Sequence, residues 1–510
     1  MLRAAFTGLA GLLLLLFASA GGSLRAADAM PDRDLEFLEA VTWGATHAGY
    51  DELRRLGRKR WLERQMSSQD ATVPPALQQQ IDGFRTSTTA PLALAVEFTS
   101  RTNAVRAIRD GEERKAAQQA IARDMSNISR DAAIRSIVRA VYAPDQLRER
   151  LTWFWFNHFN VYLYKANMHL LVGDYEDKAI RPHALGRFRD LLAATLRHPA
   201  MLVYLDNAQN AVGRVNENYA RELLELHTMG VGSGYTQADV EELARILTGF
   251  GVQQTEGTPG MKPQLRPQYR REGLFAFNPA LHDYGDKTFL GHTIKGSGER
   301  EVEEVLDILA THPATARHVS TRLATYFMAD NPPQRVIDAM TAEFLHTGGS
   351  IPAVLEVLLL APEFDRALAG RPKDGVRYVF SALRLAYEEK PILNGGPVIA
   401  WLGRLGEGLY SRQTPDGYPL TSADWTGPGQ MTARFEIARA IAFGPAGLFR
   451  AGDEKADRPG FPIVRNALFY RGWQSRLSPA TRAALDQAIS PQDWNLLFLS
   501  SPEFMQGGAS

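Results

Sequence analysis

The chain has 510 residues, with 57 lysine and arginine residues against 57 aspartate and glutamate residues, and it contains no cysteine. This balance lacks the basic excess that nucleic acids or anionic membranes attract, so we expect no nucleic acid among its partners. The absence of cysteine excludes disulfides, thiolate metal sites, cysteine nucleophiles and cysteine-anchored lipids.

The first 29 residues have the pattern of a bacterial secretion signal. A positive charge at Arg3 precedes an almost unbroken apolar run from Leu9 to Phe17, and small residues follow. Small-x-small sites predict cleavage after residue 20, 26 or 29. The alternative is an uncleaved membrane anchor, but the strongly apolar centre is short for a bilayer span. We therefore expect a signal peptide over residues 1–29, a periplasmic or secreted protein, and no membrane span in the mature chain.

Helical hydrophobic periodicity runs through most of the remaining chain, residues 30–510. The stretch 112–141 is charged and rich in alanine, which predicts a long helix with a solvated face. Two stretches interrupt the rhythm, about 253–298 and 403–429, and both are rich in glycine and proline. The first is long enough to contain a short β-hairpin. The sequence thus predicts a mostly α, single large multi-helix domain with two irregular excursions.

The densest polar signal lies between Asn218 and Gly230, within one helical pattern. On a regular helix four polar side chains of this segment share one stripe: Asn218, Arg221, Glu222 and Glu225. Carboxylates held beside an arginine can separate into a charged base and a protonated acid, as hydrolysis of a glycosidic bond requires. The alternative is a solvated face with weak ion pairs between neighbouring turns.

A second signal is the aromatic segment from Trp153 to Asn160, which also carries Asn157 and His158. It is apolar nearly all round, so we expect a central helix. Its polar residues are either satisfied groups of the core or part of a pocket wall. In the second case Trp155 stacks on a substrate, and Asn157 or His158 binds it.

A third signal is the pair His282 and Asp283, inside the first excursion. Loops often carry functional residues of these types, although an Asp-x-Gly-Asp turn is equally typical of an ordinary hairpin. The chain lacks a nucleophile elbow, a Gly-x4-Gly-Lys phosphate loop and a His-Glu-x-x-His zinc helix. No metal site is therefore expected.

These segments together resemble the bacterial family known as domain of unknown function 1800, over nearly the whole mature chain. The similarity is carried, in chain order, by Trp43-Gly44, Arg150 to Phe159, His198-Pro199, Asn218 to Gly230, Leu247 to Phe250, His282-Asp283, His312-Pro313 and Ser501 to Phe504. The resemblance implies an exported helical protein and, as a partner, an exported protein resembling sulfatases or phosphatases. It implies no activity. The Pro/Gly/Trp-rich segment of the family is present only in a loose form, at Tyr410 to Gly429.

Three functions remain open on these grounds. The first is a periplasmic or secreted hydrolase that acts on a polysaccharide-like substrate, with Glu222 and either Glu225 or Asp283 as acid and base. Its expected substrate binders are Arg221, Asn218, His158, Asn157, His282 and Trp155. With this hypothesis we expect that Arg221, Glu222, His158 and His282 line one cleft.

The second function is a haem-binding or redox protein. His227, at the end of an apolar helix face, and His158, on the aromatic helix, would ligate or flank the haem. The third is a non-catalytic exported binding or assembly factor, in which the polar stripes only join helices.

Overall fold

The computed structural model describes residues 33–67, 72–255, 257–368, 371–450 and 460–506. The predicted signal peptide, residues 1–29, lies outside these ranges, so its cleavage sites and the export of the chain stay predictions. None of the helices in the described ranges combines the length and the apolar composition that crossing a bilayer requires.

Helices dominate the part of the chain that the structure describes, which confirms the predicted fold class. Those of the first half are α1 (Arg33–Val41), α2 (His47–Leu56), α3 (Arg58–Ser67), α4 (Pro75–Asp82), α5 (Arg85–Thr88), α6 (Pro91–Ala107), α7 (Gly111–Tyr142), α8 (Gln146–His158), α9 (Val172–Asp174), α10 (Phe188–Arg197), α11 (Pro199–Tyr204), α12 (Asn218–Glu222) and α13 (Gln237–Ile246). The predicted long charged helix is α7. Its first turn is capped by Asp110, whose side chain accepts the backbone N–H of Glu113 at 2.8 Å.

The second half continues with the same architecture. Its helices are α14 (Arg300–Thr311), α15 (Pro313–Phe327), α16 (Gln334–Thr347), α17 (Ile351–Leu359), α18 (Pro362–Ala367), α19 (Gly375–Tyr387), α20 (Gly396–Arg404), α21 (Pro428–Ala442), α22 (Pro479–Asp486), α23 (Pro491–Leu499) and α24 (Pro502–Gln506). One main hydrophobic core includes buried side chains from Leu35 to Met505. Both halves therefore belong to one packed body.

The first excursion contains two small antiparallel sheets, where the sequence predicted one short hairpin. The strands are β1 (Phe250–Val252), β2 (Arg270–Glu272), β3 (Phe275–Phe277), β4 (Lys287–Phe289) and β5 (His292–Ile294). The first three pair in the order β1-β3-β2, and β4 pairs with β5 with Lys287 opposite Ile294. Leu290 and Gly291 connect β4 to β5 with φ values of 48° and 79°. Positive φ at both positions is what a type I′ hairpin turn requires.

The second excursion stays irregular, apart from a short 3-10 turn at Ser422–Trp425. It packs against the residues that follow α8. The side-chain amide of Asn160 donates to the carbonyl oxygens of Arg412 and Thr414, both at 2.9 Å. The hydroxyl of Tyr204, at the end of α11, donates to the carbonyl of Gln413 at 2.7 Å. Two helices thus hold this excursion in place.

Helix α8 is central, as its aromatic pattern predicted. All of its residues are buried except Trp153, which is partly buried. The indole N–H of Trp155 donates to the carbonyl of Ala184 at 3.0 Å. The guanidinium of Arg150 lies 4.6 Å from the ring centroid of Trp43 and 4.5 Å from that of Tyr326, so its charge is stabilised by aromatic faces.

Candidate functional site

The segment with the densest polar pattern is not one regular helix. Helix α12 ends at Glu222, and Leu223–His227 form a π-helical turn. Thr228 follows this turn and donates its hydroxyl to the carbonyl of Leu223 at 2.6 Å. A π turn contains more residues than an α turn, so the prediction of a single stripe reaching Glu225 is wrong beyond Glu222. Such turns are rare and are often found at functional sites.

Three acidic side chains, Glu222, Glu225 and Asp416, form what we call the carboxylate site. Glu222 is partly buried and makes no hydrogen bond or ion pair with the residues that the structure describes. Burial raises the pKa of Glu222, and the negative charges of Glu225 and Asp416 raise it further. Arg221 acts in the opposite direction, but its guanidinium is already paired with Glu217 at 3.0 Å.

Asp416 belongs to this site because helix α8 fixes the excursion around it. The amide nitrogen of Asn157 donates to the carbonyl of Tyr418 at 2.9 Å, and the Asn157 amide oxygen accepts the Tyr418 N–H at 2.6 Å. Gly417 lies between Asp416 and Tyr418 and has a φ of 76°. A Cβ added to this residue would lie 2.0 Å from the backbone carbonyl oxygen of Asn157. Only glycine fits this position. Arg412 binds the Asp416 carboxylate at 3.1 Å.

Two tyrosines flank the carboxylate site. Burial and then the charges of Glu222 and Asp416 raise the pKa of Tyr204. Burial and then the charge of Glu225 raise the pKa of Tyr235. Tyr204 is buried and its hydroxyl binds the Gln413 carbonyl, so only the partly exposed ring of Tyr235 offers a flat apolar face to a ligand.

Three histidines, His158, His227 and His318, meet at the π turn. The ring centroid of His158 lies 6.1 Å from that of His227 and 6.0 Å from that of His318. The Nε2 of His158 donates to the His227 carbonyl at 3.0 Å, and the Nε2 of His318 donates to the Leu226 carbonyl at 3.1 Å. Burial lowers the pKa of His227 to about 3 and that of His318 to about 4. These rings are therefore neutral near neutral pH.

The packing of His227 bears on the haem hypothesis. This ring is fully buried, and its centroid lies 5.1 Å from that of Phe159. A haem ligand needs an open position in front of its coordinating nitrogen. A haem at His227 would therefore have to displace core side chains such as Phe159. Among the residues with described positions, no three histidine, aspartate or glutamate side chains are arranged as metal ligands.

His282 and Asp283 bind residues outside the carboxylate site. Asp283 binds Arg245 at 2.9 Å, and this hydrogen bond lowers the pKa of the Asp283 carboxyl. His282 is buried, with its Nδ1 donating to the Thr248 carbonyl at 2.8 Å and its Nε2 bound to Glu301 at 2.9 Å. Both ring nitrogens are occupied. The expectation that His282 is open to a substrate in one cleft with Glu222 is therefore corrected.

The remaining predicted binders divide into core and surface. Trp155 and His158 are buried and belong to the core, and Asn157 holds the second excursion through both ends of its amide. These contacts give all three a structural role. Asn218 and Arg221 have accessible side chains, and the Asn218 amide donates to the Leu205 carbonyl at 3.1 Å.

Sequence reasoning missed Asp416 and the two tyrosines, Tyr204 and Tyr235. Asp416 stands in a Pro-Asp-Gly sequence, which predicts a turn but no site. Only the glycine after Asp416 signalled a close backbone approach, and it did not say to which helix.

No curated protein matches the chain, and no solved structure does. The sequence profile of one family, described as "Protein of unknown function (DUF1800)", matches residues 36–506. This range covers every helix that surrounds the carboxylate site, and it confirms the resemblance drawn from the ordered motifs. The chain therefore belongs to this family of unknown function, DUF1800.

Proposed function

We propose that the protein is an exported hydrolase that cleaves a glycosidic bond of a polysaccharide-like substrate at the carboxylate site. The observation that carries the proposal is the state of Glu222. Its carboxyl is partly buried, has no partner among the described residues, and has a raised pKa because of burial and two neighbouring negative charges. Carboxyl groups in such surroundings cluster at functional sites.

The chemistry needs two carboxyl groups in different protonation states. Glu222 is the general acid, because burial and the charges of Glu225 and Asp416 favour its protonated form. Asp416 is the charged partner, because Arg412 binds its carboxylate. In glycosidases such a pair protonates the leaving oxygen and activates a water or attacks the sugar carbon directly. Glu225 adjusts the acidity of Glu222.

The surroundings support a sugar as the substrate. Tyr235, which is partly exposed, lies near the acids, and aromatic faces pack well against the apolar face of a sugar ring. The excursion that carries Asp416 is fixed by hydrogen bonds from Asn157 of α8 and from Asn160, so Asp416 is held in place before a substrate binds.

The test is the Glu222→Gln variant. Purified wild type and variant are incubated with a panel of bacterial glycans, and released reducing ends are measured. We expect a loss of about 10²- to 10⁴-fold in rate, because proton transfer is removed. The melting temperature should stay unchanged, since Glu222 makes no stabilising contact with described residues. The matched control is Glu356→Gln, an exposed carboxylate on α17.

One outcome would replace the hydrolase with the exported binding factor. In that case the wild-type protein binds a glycan of the panel but releases no reducing ends from any of them. Equal activity of wild type and Glu222→Gln would remove Glu222 as the acid.

A further inference from the structure

Arg322 presents an unpaired guanidinium at the edge of the carboxylate site. It lies one helical turn after His318 on α15, and Asp416 is the acidic group that acts on its charge. Its Nε is buried and has no hydrogen-bond partner. Its two terminal nitrogens also lack a partner among the described residues, and they stay accessible to solvent. The terminal nitrogens therefore keep some contact with solvent, whereas Nε has none.

No nearby group neutralises this charge. None of the described carboxylates comes within 4.0 Å of the guanidinium. Asp416 is already bound by Arg412 and by the hydroxyl of Thr414. Burial lowers the pKa of Arg322 to about 10, which measures the cost of keeping its charge partly out of water. His318, one turn earlier, is neutral and supplies no negative charge.

Other arginines packed in this protein have partners. Arg371 donates to the carbonyl oxygens of Tyr326 and Leu420, at 2.6 and 2.8 Å. Arg150 lies between aromatic rings. Arg322 has neither carbonyl acceptors nor an aromatic face among the residues with described positions. A structural role of the kind that these arginines have does not account for it.

We propose that Arg322 is an anion-binding residue of the carboxylate site and that the substrate is an acidic glycan. An oxyanion of the sugar, a carboxylate or a phosphate ester, receives paired hydrogen bonds from the two terminal nitrogens. This inference rests on the proposed function and specifies its substrate. It also explains a cation near Asp416, because the charge of Asp416 would otherwise repel a negatively charged substrate.

Titration calorimetry on the purified protein tests the inference with three probes at constant ionic strength. Trigalacturonate carries carboxylates, mannose 6-phosphate carries a phosphate ester, and maltotriose is neutral. We expect at least one acidic probe to bind more tightly than maltotriose, and the one that binds identifies the oxyanion. Arg322→Gln should weaken that binding by about ten-fold or more.

Two further variants keep the test decisive. Arg317→Gln changes an exposed arginine on the same helix, paired with Asp338, and should bind as wild type does. Arg322→Lys keeps the charge but loses the paired donors, so its affinity should fall between those of wild type and Arg322→Gln. If Arg322→Gln does not fold, the affinities of Arg322→Lys and Arg317→Gln for the acidic probe are compared instead. Equal binding by these two variants, or no preference of wild type for either acidic probe, overturns the inference.

The anion-binding subsite at Arg322 and the proposed hydrolase activity can be refuted separately. Glu222→Gln should still bind the acidic probe, because binding needs Arg322 and not the acid. Binding that depends on Arg322 without cleavage of any glycan refutes the hydrolase and retains the subsite. Cleavage that depends on Glu222, together with equally tight binding of the acidic probes by wild type and Arg322→Gln, refutes the subsite alone.

Discussion

The hydroxyl of Tyr410 donates a hydrogen bond of 2.8 Å to Oε2 of Glu176. Both side chains line a cavity that Asn157 and Asn160 also line, beneath the second excursion. Glu176 is 4% exposed. Burial raises its pKa to about 7, and the charge of Asp177 adds to this rise. The excursion is therefore attached to a carboxyl group that the fold prefers to keep protonated.

Stability should fall as pH rises through the titration of Glu176. Below about pH 4.5 the Glu176 carboxyl is protonated in both the folded and the unfolded chain, so its titration costs no stability there. Between that value and about 7 the unfolded chain ionises first, so roughly 3 kcal/mol of stability is lost. Glu176→Gln stays neutral and should be more stable than wild type at about pH 8. Thermal unfolding across this pH range measures it.

The control for this prediction is Glu356→Gln, which should follow the wild-type pH dependence because Glu356 is exposed. Identical pH dependence in wild type and Glu176→Gln would show that Glu176 does not couple protonation to folding.

The position of Asp416 should depend on the side-chain amide of Asn157. Asn157→Asp removes the donor to the Tyr418 carbonyl and places a negative charge against that oxygen. We expect a stability loss of about 1–3 kcal/mol and an activity loss of roughly 10²-fold, because a displacement of about 1 Å is enough to disturb catalytic geometry. Asn103→Asp, an exposed position on α6, is the control. Full activity of Asn157→Asp would mean that the excursion needs no such anchor.

Glu225 should set the pH range of activity through its charge. Its carboxylate raises the pKa of Glu222, so Glu225→Gln lowers that pKa. A general acid works while protonated, and the alkaline limb of the pH–rate profile should therefore move to lower pH. Glu241→Gln, on the exposed side of α13, should leave the profile in place. A profile that moves to higher pH in Glu225→Gln would contradict the assignment of Glu222 as the acid.

Periodicity and composition predicted the helical domain and both excursions, because these features depend on local patterns. The apolar residues on nearly all sides of α8 also predicted that this helix is central. Which acids meet depends instead on contacts between distant segments. Asp416 reaches Glu222 only because Asn157, 261 residues before Tyr418, holds the second excursion by its amide.

Local patterns also misled at two points. The stripe from Asn218 to Glu225 assumed a regular helix, and the π turn at Leu223–His227 changes its phase. His282 resembled a loop residue with a function, yet Glu301, 19 residues later, binds its ring in the core. Neither a change of helix type nor a buried partner leaves a signal in a single sequence.

Removing the imidazole of His227 should stabilise the protein. Neither ring nitrogen has a partner among the residues described, and the ring is fully buried. His227→Leu removes these unsatisfied polar atoms with little change of volume, so we expect a gain of about 1–3 kcal/mol. Its depressed pKa also makes wild type lose stability as pH falls from 6.5 towards about 3, and the variant should lose less. Urea unfolding at two pH values measures both effects.

The haem hypothesis predicts the opposite result for His227→Leu. A purified wild-type protein with Soret absorbance that the variant lacks would assign His227 as a ligand and contradict the structural role.

Glu301 forms a buried ion pair with Lys287 and also binds His282. Its carboxylate is fully buried and binds Lys287 at 2.6 Å and His282 at 2.9 Å, together with the backbone N–H groups of Ser297 and Gly298. Glu301→Gln leaves the Lys287 ammonium buried without a countercharge, which typically costs about 3–5 kcal/mol.

The double variant Glu301→Gln with Lys287→Met removes both charges and should recover part of this loss. Its free energy of unfolding should exceed that of Glu301→Gln, because no unpaired charge is left buried. Activity per folded molecule should stay at the wild-type level in both variants, since this network does not include the carboxylate site. Urea unfolding and the reducing-end assay on the same preparations measure the two quantities. A Glu301→Gln variant as stable as wild type would show that Lys287 is not held as a buried charge. A selective loss of activity at unchanged stability would return His282 to the functional site.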